Sequence, residues 1–354
     1  MHTVSFPNLG LEFNINPVVF SVGSFSMNWY GLLIGVGILL AMWMGFKNCR
    51  RFGIIGDKLV DVVLVGIIGA IIGARLYYVA FRWDTYKDNL MDIFKTWEGG
   101  LAIYGGIIGG LGCGAIMAKI RKVKILPAFD LAALGFLIGQ GVGRWGNFVN
   151  GEAFGSNTDL PWGMTGDRIV SYLTSSSHVT GIVDASGLVH PCFLYESLWC
   201  FIGFGLLYWY SRRRRFDGEI FLMYLGWYGL GRVFIEGLRT DSLMLGKLRV
   251  SQLLAGILVV ASVLIWLVVR SKIRAANDPA YLKLYGETET FAEEYDTYMA
   301  ALKAKEDAKK GKKNADPVEE PAEEEAAPED EEEPVDVVTI EDEPEEEPEE
   351  KEEE

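Results

Sequence analysis

The sequence predicts an all-α polytopic membrane protein with seven transmembrane helices, the N-terminus outside, the C-terminus cytoplasmic, and a disordered acidic tail. Three observations carry this. Apolar stretches of bilayer-crossing length recur between residues 28 and 269. Lys and Arg fall unevenly in the loops between them. The charge changes sign along the chain: the net is -15 over 354 residues, yet from Asp278 onward there are 31 Asp and Glu against 8 Lys and Arg, which leaves the preceding body basic.

Crossing a bilayer takes about 20 apolar residues. Segments that meet this lie near 28–46, 59–81, 100–118, 127–148, 191–210, 218–237 and 251–269. The first 27 residues contain no Lys or Arg, so they lack the basic start of a signal peptide. Counted over the short loops, one alternate set holds 15 Lys and Arg, including Lys47, Lys124, Arg212 to Arg215 and Arg270, and the other holds 7. The richer set faces the cytoplasm, which places the polar 149–190 loop outside. Gly66, Gly69 and Gly73, and likewise Gly135, Gly139 and Gly143, read as positions where helix backbones approach closely. Gly139-x-Gly141-x-Gly143 follows no strand and opens no βαβ unit, so it is not a dinucleotide fingerprint. No Walker-type phosphate loop is present, and no nucleic-acid partner is expected.

Two domains follow: a membrane domain over 1–275 and an acidic, largely disordered cytoplasmic tail over 276–354. The tail has too little apolar content to fold alone beyond about Asp307, while Pro279 to Lys305 reads as a short helix on the membrane surface or in water. Cys49, Cys113, Cys192 and Cys200 have no metal-ligand spacing, and Cys192 alone is expected near the outer surface. His2, His178 and His190 are too scattered for a metal site. No metal or soluble cofactor is expected.

The chemistry-bearing feature is a set of arginines inside apolar helices: Arg75, Arg144 and Arg232. A guanidinium in hydrocarbon costs at least about 2.5 kcal/mol, so it needs an interior partner. At 1.5 Å per residue, Arg75 lies roughly 9 Å from the outer end of its span and the other two roughly 6–8 Å. A shared depth points to a shared anion, and a phospholipid phosphate is the abundant one there.

Four patches surround them. Gly143 to Glu152 brings Arg144, Asn147, Asn150 and Glu152 to the outer end of the fourth span, donors suited to phosphate or glycerol oxygens; a capped helix end with a snorkelling Arg is the alternative. Tyr228, Arg232, Glu236 and Arg239 stack on one helix face at spacings of 4, 4 and 3. That pattern makes either a self-neutralising Arg232–Glu236 pair or a cation beside a base. Trp97, Glu98 and Tyr104 open the third span; Tyr104 and Tyr30 read equally as interfacial aromatics. His190 to Glu196 enters the fifth span, and Glu196 in an apolar helix calls for an arginine partner, for a functional or equally a purely structural pairing.

The stretch Gly-Arg-Trp-Gly-Asn-Phe-Val-Asn-Gly-Glu at 143–152 resembles the signature of the prolipoprotein diacylglyceryl transferases. Trp29-Tyr30-Gly31, Gly73-Ala74-Arg75-Leu76, Glu98-Gly99-Gly100, Tyr104-Gly105-Gly106, His190-Pro191, Tyr195-Glu196 and Arg232-x3-Glu236-x2-Arg239 are similar and stand in family order over roughly 15–270. The resemblance implies an inner-membrane enzyme that moves a diacylglyceryl group from phosphatidylglycerol to the lipobox cysteine of a preprolipoprotein signal peptide, releasing glycerol phosphate. It implies Arg144 and Arg232 as the essential arginines, with Tyr30, Asn147, Asn150, Glu152, Tyr228 and Glu236 as companions; Arg75, Glu196 and Arg239 complete the expected binding set. Many members carry a histidine where Tyr104 stands, so a histidine base cannot operate here, and Glu236 or Tyr104 takes its place.

Two other classes compete. A transporter or flippase of an anionic lipid or solute predicts polar groups along both membrane halves. A scaffold displaying the acidic tail predicts no clustered intramembrane arginines.

Overall fold

A computed structural model describes residues 1–23, 25–96, 99–175, 183–240, 242, 244–245 and 248–313. The expected disordered tail beyond Lys313, and the Trp97 and Glu98 side chains, lie outside the described residues. The chain divides into two units, Met1–Ala300 and Ala301–Glu354.

The helices are α1 (Trp29–Asn48), α2 (Gly56–Phe81), α3 (Trp83–Tyr86), α4 (Ile103–Ile120), α5 (Ile125–Asn150), α6 (Asp167–Ser175), α7 (Cys192–Tyr210), α8 (Glu219–Leu238), α9 (Val250–Ala276) and α10 (Glu289–Lys313). The expectation of seven membrane spans is corrected. Among the described residues six helices are long and apolar enough to cross a membrane: α1, α2, α4, α5, α7 and α9. The one that falls short is α8. Its 20 residues carry Glu219, Arg232 and Glu236 together with four glycines, and it is not among the helices apolar enough to cross. The same charges that draw attention to α8 as a site disqualify it as a plain span.

The spanning helices pack in pairs. α2 and α4 meet through facing glycines: a Cβ at Gly73 or Gly109 would run into the opposing backbone. This is the close approach expected for Gly66, Gly69 and Gly73. In the α1–α5 crossing a Cβ at Gly37 would sit 3.2 Å from the Gly139 Cα, whereas Gly143 has open space around it. α5 also packs on α7 and α8, and α8 on α9. The bundle core gathers Phe52, Leu134, Leu137 and Ile220, all fully buried. α8 is started by its neighbour: the Asp130 carboxylate of α5 accepts the Gly218 and Phe221 amides at 2.8 and 2.9 Å, which caps the orphan donors of the α8 N-terminus.

Small strands form a head at the other end. β1 (His2–Phe6) pairs antiparallel with β2 (Leu11–Ile15) and with β3 (Thr165–Gly166). Val4, Phe6, Phe154, Ile169, Val189 and Phe193 fill its core. The 149–190 loop therefore carries structure of its own, including α6. Cys192, expected near the surface, is buried.

Candidate active site

Where the C-terminal end of α5 meets the N-terminal turns of α7 and the C-terminal end of α8, charged side chains converge. Glu196, on the second turn of α7 and 6% exposed, is the centre. Arg144 Nη2 lies 2.6 Å from its Oε2, Arg239 Nη1 3.1 Å from its Oε1, and Arg232 Nη1 3.5 Å from the same oxygen. Arg232 Nη2 is also 2.6 Å from Glu236 Oε2 one turn along α8. Glu236 is 1% exposed, and its Oε2 contact is not aligned as a hydrogen bond, so that oxygen has no hydrogen-bond donor. Three guanidiniums thus face two carboxylates among the described residues. Arg249 donates to the Glu236 carbonyl at the α8 C-terminus, which also accepts the Arg239 amide.

The end of α5 supplies the polar rim. Gly151 adopts a left-handed conformation, φ 63, and turns the chain so that Glu152 returns beside the helix. Asn147 and Asn150 both donate to Glu152 Oε1, at 3.0 and 3.2 Å, and Arg144 donates to Asn147 Oδ1 at 3.4 Å. The four residues form one connected chain. The Tyr30 ring packs against the bare Gly146 backbone, and Tyr30 is close enough to interact electrostatically with Glu152 and Arg144. Tyr228 stacks on Tyr224, ring centroids 5.9 Å apart.

Two expected site residues are not part of this cluster. Arg75 is 6% exposed, and its five N–H groups are spent on five backbone carbonyls: Nε on Ile93, Nη1 on Gly99 and Gly100, Nη2 on Asp92 and Lys95. A guanidinium has five donors, so this one has none left for an anion. Tyr104, at the first turn of α4, is 51% exposed, and no contact among the described residues ties it to the arginines.

Residues 17–268 match the family model described as prolipoprotein diacylglyceryl transferase, well over half the chain. The chain belongs to the prolipoprotein diacylglyceryl transferase family. It is 42% identical over 275 residues to the phosphatidylglycerol–prolipoprotein diacylglyceryl transferase of Bacillus cytotoxicus, covering 78% of this chain and 99% of that protein. It is 41% identical to the protein of the same name from Geobacillus kaustophilus, covering 74% and 96%, and 40% identical to that of Bacillus velezensis, covering 73% and 93%. The chain is a transferase, and its apolar helices make it a multi-pass membrane protein.

Sequence reasoning missed how this transferase holds its cluster. Trp199 of α7 and Trp227 of α8 stack with centroids 4.3 Å apart, and each indole Nε1 donates to the other's carbonyl, at 2.9 and 3.0 Å. Three residues from Trp199 stands Glu196; five from Trp227 stands Arg232. The signal was legible as a repeated Trp-x3-Gly, Trp199 with Gly203 and Trp227 with Gly231: a Cβ at either glycine would strike the opposite indole. Ser197 adds a second tie, accepting from Trp145 Nε1 at 3.2 Å and donating to the Gly141 carbonyl at 2.9 Å.

Proposed function

We propose that Arg144 and Arg232 hold the phosphate of phosphatidylglycerol while its diacylglyceryl group passes to the lipobox cysteine thiol of a preprolipoprotein and glycerol phosphate leaves. The observation that carries this is the Glu196 node. One buried carboxylate holds three guanidiniums at one place, Arg144 from α5 and Arg232 and Arg239 from α8 and its C-cap, and Arg144 and Arg232 each keep about a fifth of their side chains accessible. The node fixes the cations without neutralising them all.

The reaction needs that excess. The thiol sulfur bonds to the glycerol carbon as the carbon–oxygen bond to phosphate breaks, and the electron pair leaves on the phosphate oxygen. Charge on that oxygen grows toward the transition state. Fixed guanidiniums in a water-poor site stabilise it more than they stabilise the diester. The same field favours thiolate over thiol. Glu236, buried beside Arg232, takes the thiol proton. Tyr104 is the second candidate because its exposure lets a substrate reach it. Asn147, Asn150 and Glu152 meet the glycerol hydroxyls, and Tyr30, Tyr228 and Arg239 line the approach. The loop asymmetry in Lys and Arg supports a site under the outer leaflet, with the N-terminus outside.

The test is the purified full chain with phosphatidylglycerol and a lipobox peptide. The expected result is a diacylglyceryl mass gain on the peptide cysteine, abolished in Arg232→Ala although the protein still inserts. Near-normal transfer by that variant overturns the assignment, and lipid movement without a covalent product supports the flippase reading instead.

A further inference from the structure

At the opposite end of α5 from the arginine cluster lies a cavity of about 720 Å³. It opens where α4 turns into α5, and residues 283–288, just before α10, form its far wall. Four lysines surround it: Lys119, Lys122, Lys124 and Lys283. None of them is in an ion pair among the described residues. The carboxylate in the lining, Asp217, is already engaged, accepting the Tyr285 amide at 2.9 Å and facing Arg214 at 3.8 Å. Nearby Glu294 pairs with Lys58 and accepts from the Tyr285 hydroxyl at 3.1 Å; those hydrogen bonds and the Lys58 and Lys124 charges outweigh its burial and hold it below the usual carboxylate range.

The wall is fastened rather than draped. Tyr285 is tied through its amide, its hydroxyl and its ring, over which Lys124 Nζ sits 5.3 Å from the centroid. Gly286 packs backbone to backbone on Gly53. Lys122 is itself unusual. It occupies the left-handed position that ends α4, φ 58, where glycine is the ordinary residue. A lysine there carries a backbone cost that glycine would avoid. The neighbouring surface is apolar: Ile120, Ile125 and Leu126 are exposed on the ends of the two membrane helices.

We propose that this cavity binds a phosphate-bearing anion, with the lysines on the phosphate. The exposed isoleucines and leucine beside it favour a lipid headgroup whose acyl chains run along α4 and α5, over a free phosphate ester. Basic pockets between membrane helices are the recognised setting for such headgroups. Lys119, Lys122 and Lys124 lie within the family match, which stops at 268, and only the wall at 283–288 lies beyond it; the site sits at the opposite end of α5 from the arginine cluster.

The test uses the full chain in detergent, by native mass spectrometry, with phosphatidylglycerol, phosphatidylcholine or glycerol phosphate added. The variant is Lys122→Gln/Lys124→Gln/Lys283→Gln, and Arg232→Ala serves as the control for the transferase centre. The triple variant is expected to retain one phosphatidylglycerol fewer than wild type, keep its diacylglyceryl transfer, and show no change with phosphatidylcholine. Arg232→Ala is expected to keep the lysine-dependent lipid. Loss of bound glycerol phosphate in place of lipid supports the phosphate site and assigns it to a soluble ester. Retention of both anions at wild-type levels by a triple variant that still transfers overturns the proposal. If the triple variant does not transfer, Lys122→Gly keeps the turn and removes one cation; unchanged anion retention in that variant overturns it as well.

Discussion

Trp199 and Trp227 hold α7 and α8 together by exchanging one hydrogen bond each across a stacked pair of indoles. The exchange fixes the stagger of two antiparallel helices, and that stagger sets Glu196 opposite Arg232. Trp199→Phe or Trp227→Phe keeps a ring and removes one hydrogen bond, a net loss of about 0.5–1.5 kcal/mol each. The double variant removes both bonds and should be less stable than either single variant. Thermal unfolding of the four proteins measures this. Gly203→Ala should be worse than either, since the added methyl strikes the Trp227 indole and overpacking costs about 1–3 kcal/mol.

Glu196 is the common counter-ion of three arginines. Glu196→Gln removes the charge and leaves three guanidiniums facing one another in a buried place, and breaking a buried ion pair costs about 3–5 kcal/mol. The variant should accumulate poorly, and the fraction that folds should transfer at least tenfold more slowly. Glu196→Asp, which keeps the charge, should recover part of both. Equal stability of wild type and Glu196→Gln would show that the node is not what holds the arginines.

Arg75 predicts a different signature. Its donors bind the backbone of residues 92–100, and Gly100 is left-handed, φ 72, with no room for a Cβ beside the guanidinium. Arg75→Lys offers three donors to five carbonyls. It should loosen that segment, seen as faster amide exchange over 92–100 and a lower Tm, while the KM for phosphatidylglycerol in the surviving protein stays within about twofold. A large rise in KM at unchanged stability would return Arg75 to the phosphate site.

The head should be acid-sensitive. Burial pushes the His190 imidazole below its ordinary 6.5, and burial followed by the Arg168 charge does the same to His2. The unfolded chain therefore takes up protons first. Stability fully present above pH 6.5 is lost as pH falls from there toward the depressed folded values. Amide exchange over β1 and β3 should quicken across that window, and His2→Gln should flatten the response. Exchange that is independent of pH after correction for its intrinsic rate would contradict this.

What the sequence disclosed was chemistry and periodicity. The helices, the Arg232–Glu236 spacing and the 143–152 signature are local patterns, and each reads along the chain. What it concealed depends on partners distant in sequence. Its apolar run makes α8 look like one more span, yet its charges and glycines together leave it outside the six helices apolar enough to cross. Arg75 looked like Arg144 and Arg232 because an intramembrane arginine has one appearance in sequence, and only the loop at 92–100 reveals its backbone partners. The Trp-x3-Gly pair was visible in the letters, but its reciprocity exists only once α7 and α8 lie side by side.

The central claim is that Arg144 and Arg232 grip a lipid phosphate. The most direct test is a structure of the full chain with phosphatidylglycerol bound, resolving the phosphate. Its oxygens should lie within hydrogen-bond range, about 2.7–3.2 Å, of the Arg144 and Arg232 nitrogens, with Glu196 still between the guanidiniums. A phosphate resting elsewhere, with those two arginines paired only to Glu196 and Glu236, would contradict the account.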